Sequence, residues 1–140
     1  MSEQKPVVVI KIGGNEIDDA SFLGRFVAAV QKVQEDSLPV IVHGGGKEIA
    51  ELHQRLQVPF EMVQGVRVTS AESLRLVEMV LSGLVNTRVV RWLVNRGVDA
   101  IGLTGVDAGA VQVTRWQPHG LDLGYVGRVT AVRAAPLQRL

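Results

Sequence analysis

Two β-branched runs end in glycine clusters that lead straight into amphipathic segments, and this repeated strand–glycine–helix pattern leaves few folds open to the chain. Val7 to Ile12 is a near-continuous apolar run closed by Gly13-Gly14, and Leu38 to Val42 is a second, ended by His43-Gly44-Gly45-Gly46. Unbroken apolarity suits strands covered on both faces, as in a parallel sheet of βαβ units. Between them, Asp18 or Asp19 can cap a helix running to about Glu35, with Phe22, Phe26, Ala29, Val30 and Val33 as its apolar stripe. A further helix is predicted from about Lys47 to Leu56, with Pro59 marking its exit.

Further along, Phe60 to Val63 and Val66 to Val68 flank Gln64-Gly65 and read as a hairpin. Thr69 and Glu72 have the spacing of a capping box and open one long predicted helix, about residues 70–96, closed by Gly97. Leu74, Val77, Leu81, Leu84 and Trp92 form its main apolar line, and Leu76, Met79, Val80, Val90 and Leu93 form another. A helix apolar on two sides is either enclosed or shared between subunits. Asp99 to Leu103 reads as a core strand, followed by the loop 104–109. Ala110 to Thr114 and Tyr125 to Val132 read as a hairpin over a polar loop.

With 140 residues, 46 % hydrophobic and 21 % charged, the chain suits one soluble globular domain. A net charge of +1 argues against a protein that neutralises many nucleic-acid phosphates. The absence of cysteine excludes disulfides, thiolate metal sites and cysteine nucleophiles. No run approaches the roughly 20 apolar residues of a membrane span, so a cytoplasmic protein is expected.

In a parallel sheet both glycine clusters fall at the carboxyl ends of the strands, where ligands bind in open α/β folds. Glycine lets the backbone approach a ligand closely, and the first amides of a helix are unpaired donors suited to anions. Lys11 would place a cation beside them, making a site for a phosphoryl group or a carboxylate. Neither cluster has the spacing of a P-loop or of a dinucleotide fingerprint. Arg67, between Val66 and Val68 at the end of the predicted hairpin, could grip a carboxylate bidentately or pair with a nearby acid. Asn86 reads as a polar helix position and Asp107 as a turn former. His43, His53 and His119 lack metal-ligand spacing; a turn is expected for His43 and surface positions for the other two. No nucleophile elbow is present, so covalent catalysis is not expected.

Several strings recur together. Val-Ile-Lys11-Ile-Gly13-Gly14, Val42-His43-Gly44-Gly45-Gly46, Gln64-Gly65-Val66-Arg67-Val68-Thr69, Val77-Glu78-Met79-Val80-Leu81, Val85-Asn86, Gly102-Leu103-Thr104-Gly105-Val106-Asp107 and Leu123-Gly124-Tyr125-Val126-Gly127 stand in one order. In that order they resemble acetylglutamate kinases, a branch of the amino acid kinase family, over nearly the whole chain.

The resemblance implies an α/β fold, a three-layer α/β/α sandwich with a mainly parallel sheet of the amino acid kinase or carbamate kinase type. It implies transfer of the γ-phosphoryl of ATP to the side-chain carboxylate of N-acetyl-L-glutamate in arginine biosynthesis. Lys11 matches the lysine that stabilises the moving phosphoryl. Gly45 and Gly46 match backbone contacting the acetylated amino acid, and Arg67 matches the arginine on its α-carboxylate. Gly13 and Gly14, with Gly44, match the phosphoryl-facing loops. ATP with Mg2+ is the implied co-substrate, with no protein-bound metal.

Members of this branch are nearly twice as long. Residues 1–140 therefore correspond to the amino-acid- and phosphoryl-binding half, and the C-terminal half with most of the ATP site falls outside the chain. A homodimer through helix 70–96 is expected, with neither nucleic acid nor membrane as partner. Two alternatives are a kinase for carrier-protein-linked aminoadipate or glutamate, and a half that binds substrate without catalysis.

Overall fold

The computed structural model describes residues 5–13, 16–59 and 61–140. Helices combine with small sheets in an α/β chain whose described strands form three two-stranded sheets. Contacts divide it into two compact units. The first runs to Glu48 and resumes over Val80–Gly102; the second comprises Ile49–Met79 and Leu103–Leu140.

In the first unit, β1 (Val7–Ile12) pairs in parallel with β2 (Leu38–His43), from Val7 opposite Leu38 to Ile12 opposite His43. The crossover is α1 (Ala20–Asp36), capped by Asp19, whose carboxylate accepts from the amides of Ser21 and Phe22 at 2.8 and 3.1 Å. Its buried stripe is Leu23, Phe26, Val27 and Val30. That stripe is rotated from the expected one, for Ala29 is exposed and Phe22 and Val33 are only half-buried. Helix α2 (Gly46–Leu56) starts at the third glycine of its cluster.

In the second unit, β3 (Glu61–Val63) and β4 (Val66–Val68) form the expected hairpin, antiparallel with Met62 opposite Arg67. Phe60 lies outside the described residues. Gln64 and Gly65 turn the chain with φ of 50° and 79°, the left-handed pair that matches the twist of a two-residue hairpin. Two later strands, β5 (Val111–Arg115) and β6 (Gly127–Val132), pair antiparallel with a bulge between Gln112 and Val113.

The expected long helix is helical throughout but in three parts: α3 (Ala71–Glu78), a π-helical stretch Met79–Asn86, and α4 (Thr87–Val94). Its N-cap is Ser70, whose hydroxyl accepts from the amide of Ser73 at 3.0 Å, and not Thr69. Thr69 is committed elsewhere: its amide donates to Leu123 and its carbonyl accepts from Tyr125 at 2.7 Å. The buried line is Ser73, Leu76, Val80, Val85, Val89 and Leu93. Its five-residue step from Val80 to Val85 is the wider π turn, which shifts burial away from Leu81 and Leu84.

The core strand expected over Asp99 to Leu103 forms no ladder in the structure. Val98 is buried and Gly102 stands against Asn86 and Val90, but Ile101 is 69 % exposed, and among the described residues no strand pairs with this stretch. Among the described residues no helix is long and apolar enough to cross a membrane.

Candidate functional site

Because β1 and β2 run parallel and in register, both glycine turns leave the same edge of the pair. The Gly44 amide donates to the Ile12 carbonyl at 3.3 Å and carries the ladder one step past the strands. Lys11 is exposed, opposite Val42, while Ile12 on the other face is buried. By the alternation of a strand, the Lys11 ammonium thus rises from the face that carries Val9 and Val42.

At the end of β1, Gly13 is exposed and stands against the Glu16 side chain; a Cβ there would collide with that carboxylate. Gly14 lies outside the described residues. Beyond β2, His43 Nδ1 lies 3.0 Å from the Gly44 carbonyl, so its ring N–H donates there and fixes the turn, as expected for a turn residue. Gly45 is buried, and a Cβ there would stand 2.7 Å from Leu81 Cδ2 and 3.2 Å from Val85 Cγ2, so any side chain would have to displace those two. Gly46 is open on the Cβ side and exposed. As the first residue of α2 it begins a turn whose amides have no intrahelical acceptor. The donors and the cation of this edge suit a carboxylate or a phosphoryl oxygen.

Two charged residues beside this turn carried no signal in the sequence. Glu48, third in α2, is only 8 % exposed, and its Oε1 accepts from Arg88 Nη1 of α4 at 3.1 Å. A carboxylate three residues after a helix cap is the available clue, yet its partner stands forty positions away and no local pattern joins them.

Arg67 belongs to the second unit, in the middle of β4. It is half-buried, and desolvation lowers its pKa from the ordinary value. The structure thus gathers Lys11, Gly13, Gly44, Gly45 and Gly46 at one strand edge of the first unit, and sets Arg67 on the hairpin of the second.

His53 corrects the expectation of a surface position. It is fully buried in the second unit, with Nδ1 2.7 Å from the Ile49 carbonyl and Nε2 2.7 Å from Ser73 Oγ. Its neighbour four residues back and a hydroxyl on α3 satisfy the ring, so it serves packing. His119 is exposed, as expected. Asp107 closes its loop by accepting from the Thr104 amide and hydroxyl at 2.6 and 2.9 Å, the expected turn-forming role. Among the described residues no group of three or more histidine, aspartate or glutamate side chains could hold a metal ion.

The chain is thus an α/β protein in which two parallel strands end in glycine turns, with a lysine on the same edge. The chain belongs to the amino acid kinase family, whose model matches residues 6–140. It is 47 % identical over 141 aligned residues to the acetylglutamate kinase of Roseiflexus sp. strain RS-1, covering 99 % of this chain and 52 % of that protein. The acetylglutamate kinase of Geobacillus thermodenitrificans is also 47 % identical, over 95 % of this chain and 50 % of the relative. The crystal structure of smu.665 from Streptococcus mutans superposes with a TM-score of 0.83 at 32 % identity, covering 95 % of this chain and 53 % of that one. The chain therefore spans about half the length of the curated relatives it matches.

Proposed function

We propose that the chain is the amino-acid-binding half of an acetylglutamate kinase acting in the cytoplasm in arginine biosynthesis. The observation that supports this most is the in-register β1–β2 pair, which sets both glycine turns and Lys11 on one strand edge of a chain 47 % identical to such kinases. In this reading residues 1–140 are one functional half of a three-layer α/β/α sandwich with a mainly parallel sheet. The other half brings most of the ATP site, and a homodimer forms through residues 70–96.

The reaction joins two anions. An oxygen of the substrate's side-chain carboxylate attacks the γ-phosphorus of ATP, the bond to the β,γ-bridging oxygen breaks, and ADP departs from an acyl phosphate. Such a transfer calls for fixed positive charge and donors around the moving group and not for a protein nucleophile. Lys11 neutralises charge on the phosphoryl. The amides of Gly13 and Gly44 face its oxygens, those of Gly45 and Gly46 orient the acceptor, and Arg67 takes the α-carboxylate bidentately. Mg2+ arrives on the ATP phosphates and supplies further charge neutralisation.

Calorimetric titration with N-acetyl-L-glutamate tests the reading. The chain is expected to bind it, and Arg67→Ala to weaken binding by about 2 kcal/mol, the scale of a lost charged hydrogen bond. A coupled ATP assay is expected to show no turnover by the chain alone. Absence of binding, or an Arg67→Ala variant that binds normally, overturns the reading.

A further inference from the structure

We propose that Glu48 and Arg88 form a charge-neutral brace that positions the Gly44–Gly46 turn and keeps the N-terminus of α2 receptive to an anion. The pair lies wholly in the first unit and touches no proposed reacting atom; its members are positioning residues. The inference rests on the reading that this turn takes an anionic ligand.

Buried carboxylates are rare unless paired, and Glu48 is paired once. Its Oε1 meets Arg88, while its Oε2 is buried with no hydrogen-bond partner in the structure. That second oxygen lies 3.9 Å from the point a Cβ on Gly45 would occupy. The residue just before α2 is thus seated on Leu81 and Val85, and the first turn of α2 is tied to Arg88. Both fastenings reach the same helical run, so the main chain between them has little freedom to move.

The electrostatics give the pair a second consequence. A carboxylate in a first helical turn is favoured by the helix dipole, but it competes for the same positive potential that an incoming anion would use. Arg88 cancels that charge at contact distance. Without the guanidinium, a buried negative charge would stand beside the amides meant for the ligand. A member of a buried pair left alone is worse than a site with both charges removed.

That asymmetry is testable on the 140-residue chain by titrating N-acetyl-L-glutamate into folded variants, with circular dichroism melts as the folding control. Arg88→Gln is expected to weaken binding at least about tenfold, and Glu48→Gln by about two- to fivefold. The double variant is expected to bind at least about fivefold better than Arg88→Gln, because removing the second charge relieves the repulsion. A scaffold role alone predicts no such rescue, so a double variant as weak as Arg88→Gln overturns the proposal. If Arg88→Gln fails to fold, the double variant decides by itself: binding close to that of Glu48→Gln supports the brace, and loss of binding when folded overturns it. Amide hydrogen exchange of Ala50 and Glu51, the first amides of α2 with intrahelical acceptors, tests the brace without any ligand. About tenfold faster exchange in the double variant supports the positioning role, and unchanged exchange overturns it. If the unaltered chain binds no N-acetyl-L-glutamate, the kinase-half reading fails while the exchange measurement still judges the brace.

Discussion

Asp107 holds its loop with one carboxylate oxygen, and the same bonds move its titration. The Thr104 amide and then the Thr104 hydroxyl lower its pKa from the ordinary 3.8, against a smaller opposing effect of desolvation. A carboxylate depressed in the folded state contributes stability above its unfolded pKa and loses it as pH falls through the folded value. The Thr104 amide, followed by NMR during acidification, should therefore shift with a midpoint below 3.8; a midpoint at or above it removes the assigned bonds. Asp107 was readable in sequence because its partner sits three residues away. His53 was not, because Ser73, the hydroxyl that stands 2.7 Å from its buried ring, stands twenty residues on. Ser73→Ala strips that contact from a buried polar ring and should cost about 1–3 kcal/mol in urea unfolding. A cost near zero would place the imidazole elsewhere.

Helix boundaries followed local chemistry closely, and the departures have specific causes. The α1 cap was legible as Asp18 or Asp19, and the start of α2 to within one residue of Lys47, because capping groups and glycines act within a few residues. The cap of α3 moved from Thr69 to Ser70 since the backbone of Thr69 is taken by Leu123 and Tyr125, more than fifty residues away. Ser70→Ala should consequently lower stability by about 1 kcal/mol in chemical denaturation, and Ser70→Asp should restore it. No loss on Ser70→Ala would return the cap to Thr69. Two apolar lines along residues 70–96 left the buried side open in the sequence. The structure chooses by inserting a five-residue step between Val80 and Val85, and no periodicity fixed at 3.6 can anticipate that step. The extended stretch over Asp99 to Leu103 shows the converse: its residues suit a strand, but a strand exists only with a neighbour to complete its ladder.

The β1–β2 pair reads in sequence as strands covered on both faces, and in the first unit only one face is covered. Residues that stand opposite each other on the bare face are Val7 with Leu38 and Val9 with Val40, while Val42 stands opposite Lys11. The five apolar members are between 46 and 66 % exposed, whereas Ile12 on the other face is 4 % exposed. Parallel sheets are stable chiefly when helices cover both faces, so this face is the largest departure of the unit from the pattern its own sequence implies. The open face is an apolar patch of the kind that marks a contact surface, in a chain that spans about half the length of the curated relatives it matches. The strands were thus read correctly as elements, while their full burial could not be realised within these residues. A double variant, Val9→Lys with Val40→Lys, should sharply lower binding of a fluorescent apolar dye to the chain and leave its melting temperature within a few degrees, because both side chains already border water. Ile12→Lys, one strand position from Lys11 but on the covered face, should instead cost several kcal/mol or abolish folding, since it buries an unpaired ammonium. Equal damage from the two sets of substitutions, or dye binding unaltered by the double variant, would mean that the Val9 face is already covered in solution.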